Sequence, residues 1–151
     1  MTPASGDDYY HAAKERLDDA RHLIDVRRYV LAMYTSGVAV ECGLRSLGRL
    51  KRFDFGGDHD LFRMMTKVSE LGFYQKTTED SLYGHVSTIR AIWSNGLRYA
   101  DRAAVLRYLK RKKLDRKIKG DVVKYRCNEL FSAASAAVNR LEVIWQRSKT
   151  N

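Results

Sequence analysis

After Pro3 the 151-residue chain contains no proline. Proline interrupts a helix because its ring clashes with the preceding turn and it lacks an amide proton. A chain free of it from Ala4 onward can hold long unbroken helices, and the spacing of the apolar residues predicts them. Tyr10, Ala13, Leu17, Ala20 and Ile24 recur at alternating steps of three and four, which is one face of a helix. Ser5-Gly6-Asp7-Asp8 reads as its capped start, and its end is expected near Arg27 or Arg28. A second helix is expected over 29–50, with Val30, Met33, Gly37, Val40, Leu44 and Leu47 as its stripe. Ala32, Ser36, Gly37, Ala39 and Gly43 on it are small enough for close helix approach.

Lys51 to His59 reads as a loop, marked by Gly56-Gly57, after which Asp58 or Asp60 caps a third helix. Leu61, Met65, Val68 and Leu71 point inward on that helix, and Gly72 closes it in the left-handed conformation. A polar loop follows to about Asp80. A fourth helix then carries Leu82, Val86, Ile89 and Trp93 and breaks near Asn95-Gly96. Asp101 is positioned to cap a short basic helix with Val105, Leu106 and Leu109, and 110–120 is charged and partly loop. Asp121 caps the last helix, whose seam runs Val123, Cys127, Leu130, Ala134, Ala137, Leu141 and Ile144, up to Trp145. Such a helix is about 37 Å long. No segment alternates with period two, and neither a repeat nor a second domain is evident. The expected fold is one all-α domain over 1–151: an up-and-down bundle of four to five main helices plus a short basic helix.

Hydrophobic residues make up 44% of the chain, enough for a real core. No apolar run reaches membrane-spanning length, and the acidic N-terminus is no secretory signal. Cys42 and Cys127 sit inside helical patterns without CxxC or CxxH neighbours. They read as core residues in a reducing compartment rather than a disulfide or zinc site, so cytoplasmic residence is expected, with no metal and no cofactor. The net charge of +10 is unevenly placed. Between Asp101 and Arg126 there are 11 Lys/Arg against 3 Asp/Glu, a local +8, whereas the rest of the chain carries +2. That asymmetry points to an anionic partner or to a solvated helix face.

The order of features resembles a known family. YVLAMYTSGVAVECGLRSL at 29–47 is followed by HDLFRMM at 59–65, by IRAIWSNGLRYAD at 89–101, and by a long Ala-rich helix. This is similar to the HEPN domain, the higher-eukaryote and prokaryote nucleotide-binding family. Its second helix is rich in small residues and bears a Glu and a downstream Leu-Arg. Its next helix often starts His-Asp-Leu, and many bacterial members carry a Trp-x-x-x-Leu-Arg-Tyr stretch, here Trp93, Leu97, Arg98 and Tyr99. The resemblance covers nearly the whole chain. It implies an up-and-down bundle, usually homodimeric, often encoded beside a nucleotidyltransferase in toxin–antitoxin or phage-defence loci.

Active HEPN ribonucleases carry an Arg, four to six residues, then a His, for metal-independent RNA cleavage. The arginine grips the scissile phosphate and the histidine moves protons. Here Arg90 is followed by Asn95, and no histidine lies at 95–97 or anywhere after Arg98. Arg90, Asn95 and Arg98 are the candidate catalytic residues, with the proton carrier missing from the motif. Two other pairs share the spacing, Arg16 with His22 and Arg52 with His59, but both lie in the first half of the chain. His59 reads as part of a helix start, His85 as a partly buried hydrogen-bonded residue, and His11 and His22 as flanking the first helix.

Glu41 lies on or beside the packed stripe and needs a partner. Arg45 at i+4 is available, and Arg90 or Arg98 are within reach of a neighbouring helix; an ion pair pinning helices is favoured over a role in a site. Arg98 and Tyr99, at a helix break, form a candidate nucleotide- or phosphate-binding pair, unless Tyr99 only packs. Arg107, Lys110, Arg111, Lys112, Lys113, Arg116, Lys117 and Lys119 form the strongest electrostatic feature, suited to phosphates without base readout, with Tyr108 available for stacking. No Walker loop, HExxH, dinucleotide fingerprint or GxSxG is present. The leading expectation is an RNA-binding protein related to metal-independent ribonucleases, with catalysis left open. The alternative is a non-enzymatic module that dimerises and docks a nucleotidyltransferase or other partner protein. A nucleotide-binding regulator using 95–99 is a third reading.

Overall fold

In the computed structural model, residues 2, 4–74 and 81–150 are described. The polar loop expected to run to Asp80 has its second half, 75–80, outside them. Six α-helices and one 3-10 turn follow in the order α1 (Gly6–Asp25), α2 (Tyr29–Leu50), α3 (Leu61–Glu70), α4 (Ser81–Ile92), η1 (Asn95–Tyr99), α5 (Arg102–Arg111) and α6 (Val122–Thr150). No strand occurs among the described residues. The architecture is the all-α bundle that the spacing predicts.

The caps follow the local chemistry. The Ser5 hydroxyl accepts from the Asp8 amide at 3.1 Å while the Asp8 carboxylate accepts from Ser5 N–H at 2.8 Å. This reciprocal pairing satisfies two free donors at the start of α1. Asp60, Asp101 and Asp121 accept from the amides of Arg63, Ala104 and Lys124, three residues on. α1 ends at Asp25, earlier than its sequence suggests, because Arg27 turns left-handed at φ 61°. The Arg28 amide then returns to Leu23 O and the Arg27 amide to Ile24 O, closing the helix in the manner usually given to glycine. The last helix instead outruns its expectation, since polar residues past Trp145 continue to Thr150.

α2 is the central element. From Thr35 to Gly48 every residue except Val38 is buried, so the expected stripe is a nearly complete sheath. α1, α6 and α3 pack against it, and α4 lies on α6. Small residues make this possible. A Cβ at Gly37 would overlap the Trp93 indole, and one at Gly43 would come within 2.8 Å of Leu141 Cδ1. On α3 the inward set is Leu61, Met64, Met65 and Val68, while Leu71 is only half-buried as the C-cap. The two ends of the chain meet: Tyr10 stacks on Trp145 at 5.1 Å, and its hydroxyl donates to Glu142 at 2.9 Å. Among the described residues no helix is long and apolar enough to cross a membrane.

Candidate nucleic-acid interface

The chain turn after α4 is fixed from behind. Trp93, immediately past the helix, donates its indole N–H to Tyr34 O at 3.1 Å across the notch that Gly37 leaves in α2. Ser94 then caps η1, its hydroxyl accepting from Gly96 N–H at 3.1 Å. With this corner anchored, Arg90 and Asn95 face one open cleft of about 410 Å³. Its other walls are His59, Asp60 and Leu61 at the start of α3, and Tyr108 and Lys112 from α5 and its C-cap. The Tyr108 hydroxyl donates to Ile92 O at 2.8 Å, tying α5 to the end of α4, and Lys112 Nζ donates to that hydroxyl at 3.1 Å. The Arg90 guanidinium lies over the Phe62 ring at 4.6 Å.

His59 shares the motif spacing with Arg52, although its sequence favours a helix start, and Asp60 does supply the cap. Its ring, however, closes on Glu41 of α2, with Nδ1 2.6 Å from Oε1. Glu41 and Arg45 are 9% and 7% exposed, and Arg45 Nε stands 3.8 Å from Oε2. Arg45 also donates to Gly56 O at 3.0 Å and Asp58 O at 2.7 Å, so it clamps the loop that delivers His59. Glu41 therefore has the Arg45 partner expected, plus a closer one; Arg90 and Arg98 lie in the clefts instead. The contact orients the imidazole with Nδ1 on Glu41 and Nε2 turned away from it. His59 opens the His-Asp-Leu stretch of the family resemblance, but nothing local ties it to Glu41, eighteen residues earlier.

The other candidates separate. Arg98 does not share the cleft of Arg90 and Asn95; it lines a second one with Arg27, Arg28 and Arg102, its guanidinium over the Tyr99 ring at 5.3 Å. Tyr99 is 82% exposed, so it does not pack as a core residue. Arg107, Lys110, Arg111, Lys113, Arg116, Lys117 and Lys119 are all exposed, running from the outer face of α5 through 112–120. Tyr108 is half-buried and its hydroxyl is engaged. Of the two chance-spaced pairs, Arg16 and His22 line a third, more apolar groove with Leu31 and Tyr34, where Arg16 Nε meets Asp19 at 3.0 Å. Arg52 is exposed, and of its pair only His59 reaches the first cleft. Both cysteines are buried. No group of three or more His, Cys, Asp or Glu suited to a metal ion occurs among the described residues.

No family model matches the chain, and no curated protein does. Among solved structures, the crystal structure of an archaeal HEPN homologue is similar to it, with a TM-score of 0.58 at 15% identity. The likeness covers 93% of this chain and 97% of that one. The chain thus has a HEPN-like fold, as the order of its motifs implies.

Proposed function

We propose that this HEPN-like chain is an RNA-binding protein that grips the phosphodiester backbone in the cleft between the start of α3, the end of α4 and α5. One observation carries the reading: His59, Arg90, Asn95, Tyr108 and Lys112, from three separate stretches of sequence, converge on a single cleft beside an exposed basic run. Arg90 and Lys112 supply charge to a phosphate, Asn95 a neutral donor and acceptor, and the flanking lysines and arginines non-specific attraction. A homodimer and a toxin–antitoxin or phage-defence setting belong to the same reading, and light scattering of the purified protein tests the first. Fluorescence anisotropy with labelled RNA at several salt concentrations tests the binding. Each phosphate neutralised on a single strand contributes a slope of about −0.7 in log K against log salt. A protein that binds no RNA at low salt is outside this proposal.

The His59–Glu41 pair favours a second reading, that the cleft also cleaves RNA. In that step Nε2 of His59 takes the proton of a ribose 2′-hydroxyl as its oxygen attacks phosphorus. The bond to the 5′ oxygen breaks, and the proton returns to that oxygen, leaving a cyclic phosphate and a 5′-hydroxyl end. Glu41 holds the imidazole tautomer, and Arg90 faces the charge that develops on phosphorus. Loss of cleavage, with binding kept, in His59→Ala is the expected signature.

A further inference from the structure

The second cleft, on the other side of η1, has no place in the site just described. It encloses about 400 Å³ between the α1–α2 turn and the start of α5. Arg27, Arg28, Arg98 and Arg102 line it, with Asp101 as its acid. The Asp101 carboxylate is occupied as the α5 cap, at 2.8 Å from Ala104 N. Arg102 is paired with Asp121 at 2.8 Å, whereas no carboxylate among the described residues stands within ion-pair distance of Arg27, Arg28 or Arg98. Three guanidinium groups with no ion-pair partner among the described residues line one concavity, which suits a multiply charged or multidentate anion.

Arg27 sits where glycine would be the cheaper residue. Its φ of 61° is the left-handed helix-closing conformation that a Cβ disfavours. Next to the cleft, Tyr99 presents a ring that is 82% exposed, with Arg98 over one side. An exposed ring beside phosphate-binding groups suits an unpaired base. The five residues of η1 link the two clefts, Asn95 facing the first and Leu97 and Arg98 the second. A 3-10 segment of that length spans about 10 Å, a distance that a few nucleotides of one strand cover.

We propose that the Arg27–Arg28–Arg98–Arg102 cleft is a second phosphate subsite, which holds the same single-stranded RNA further along its backbone while Tyr99 stacks one of its bases. This rests on the RNA-binding reading of the first cleft. Its test uses a labelled oligouridylate of about 12 nucleotides, within the range of single-strand sites, and the double variant Arg27→Gly/Arg28→Ala. Because glycine relieves the turn, the variant is expected to melt no lower than the parent. Its affinity is expected to fall about tenfold, as loss of charge-assisted contacts would produce, with a shallower salt dependence. Tyr99→Ala is expected to weaken binding of the single strand and leave binding of duplex RNA unchanged. Unaltered affinity in the double variant, while Arg90→Ala/Lys112→Ala weakens binding, overturns the second subsite and leaves the first cleft standing. Polyglutamate competing as well as RNA overturns it in favour of an acidic protein partner. A parent protein that binds no RNA overturns both.

Discussion

Nδ1 of His59 lies 2.6 Å from Oε1 of Glu41, although eighteen residues separate them in sequence. The contact joins a loop that opens on solvent to a carboxylate that does not, and the two partners therefore differ in what their loss costs. Glu41→Ala leaves the buried Arg45 without its counter-ion, which in comparable sites costs about 3 kcal/mol, or a fall in Tm of roughly 10 °C for a chain of this size. His59→Ala removes a side chain that is 44% exposed and is expected to change Tm little. Thermal melts of the two variants check this. Equal losses would contradict the account of Glu41 and Arg45 as the clamp and His59 as the working end.

Gly37 and Gly84 form a second contrast. Alanine at Gly37 drives a methyl into the Trp93 indole and threatens the bond from that indole to Tyr34 O. The expected cost is about 2 kcal/mol, the usual scale for overpacking a filled core, with a change in tryptophan fluorescence. Alanine at Gly84, on α4 with nothing within 4 Å, is expected to stabilise by about 0.5 kcal/mol through helix propensity. Chemical denaturation of both variants reads the signs directly.

The fold was legible because helix periodicity and caps are local. The bounds of α2 at Tyr29 and Leu50, and the caps at Ser5, Asp101 and Asp121, follow from residues within a turn of each boundary. The end of α1 was misplaced because closing a helix with Arg27 in the left-handed region carries no sequence signal of the kind glycine gives. The candidate site was only half legible. Arg90 and Asn95 line one cleft, with one short turn between them. Arg98, three residues further along η1, faces the other cleft. His59 arrives through a tertiary contact with α2, and nothing in its neighbours encodes that.

Acid stability should report the carboxylates that tie elements together. Burial raises Asp121, but the Lys124 amide and the Arg102 guanidinium outweigh it and hold the carboxyl below its ordinary value. Asp58 behaves alike: burial raises it, and the Asp60 amide and Arg63 bring it down. Glu142 is lowered by its hydrogen bonds from Lys14 and Tyr10. A depressed folded-state pKa contributes stability that is complete above the unfolded value, about 4, and is lost as pH falls through the folded one. Tm is therefore expected to be level from neutral pH down to about 5 and to drop below 4. Asp121→Asn is expected to flatten that drop while lowering Tm at neutral pH.

The cysteine thiols should be silent in the folded protein. Burial, with the Glu41 charge adding to it, pushes Cys42 up to about 11, and burial pushes Cys127 up to about 12. Alkylation requires the thiolate. Iodoacetamide at pH 8 is thus expected to leave the native chain unmodified over times in which the urea-unfolded chain reacts at both positions. Fast modification of Cys127 in the native protein would contradict its placement inside α6.

The most direct test of the central claim is the incubation of the purified protein with labelled single-stranded RNA in EDTA, at two salt concentrations, beside the Arg90→Ala/Lys112→Ala variant. The parent is expected to bind tightly at low salt and to lose binding steeply at high salt, and the variant to bind weakly at both. Undiminished binding by the variant, or none by the parent, would contradict the cleft as a nucleic-acid interface.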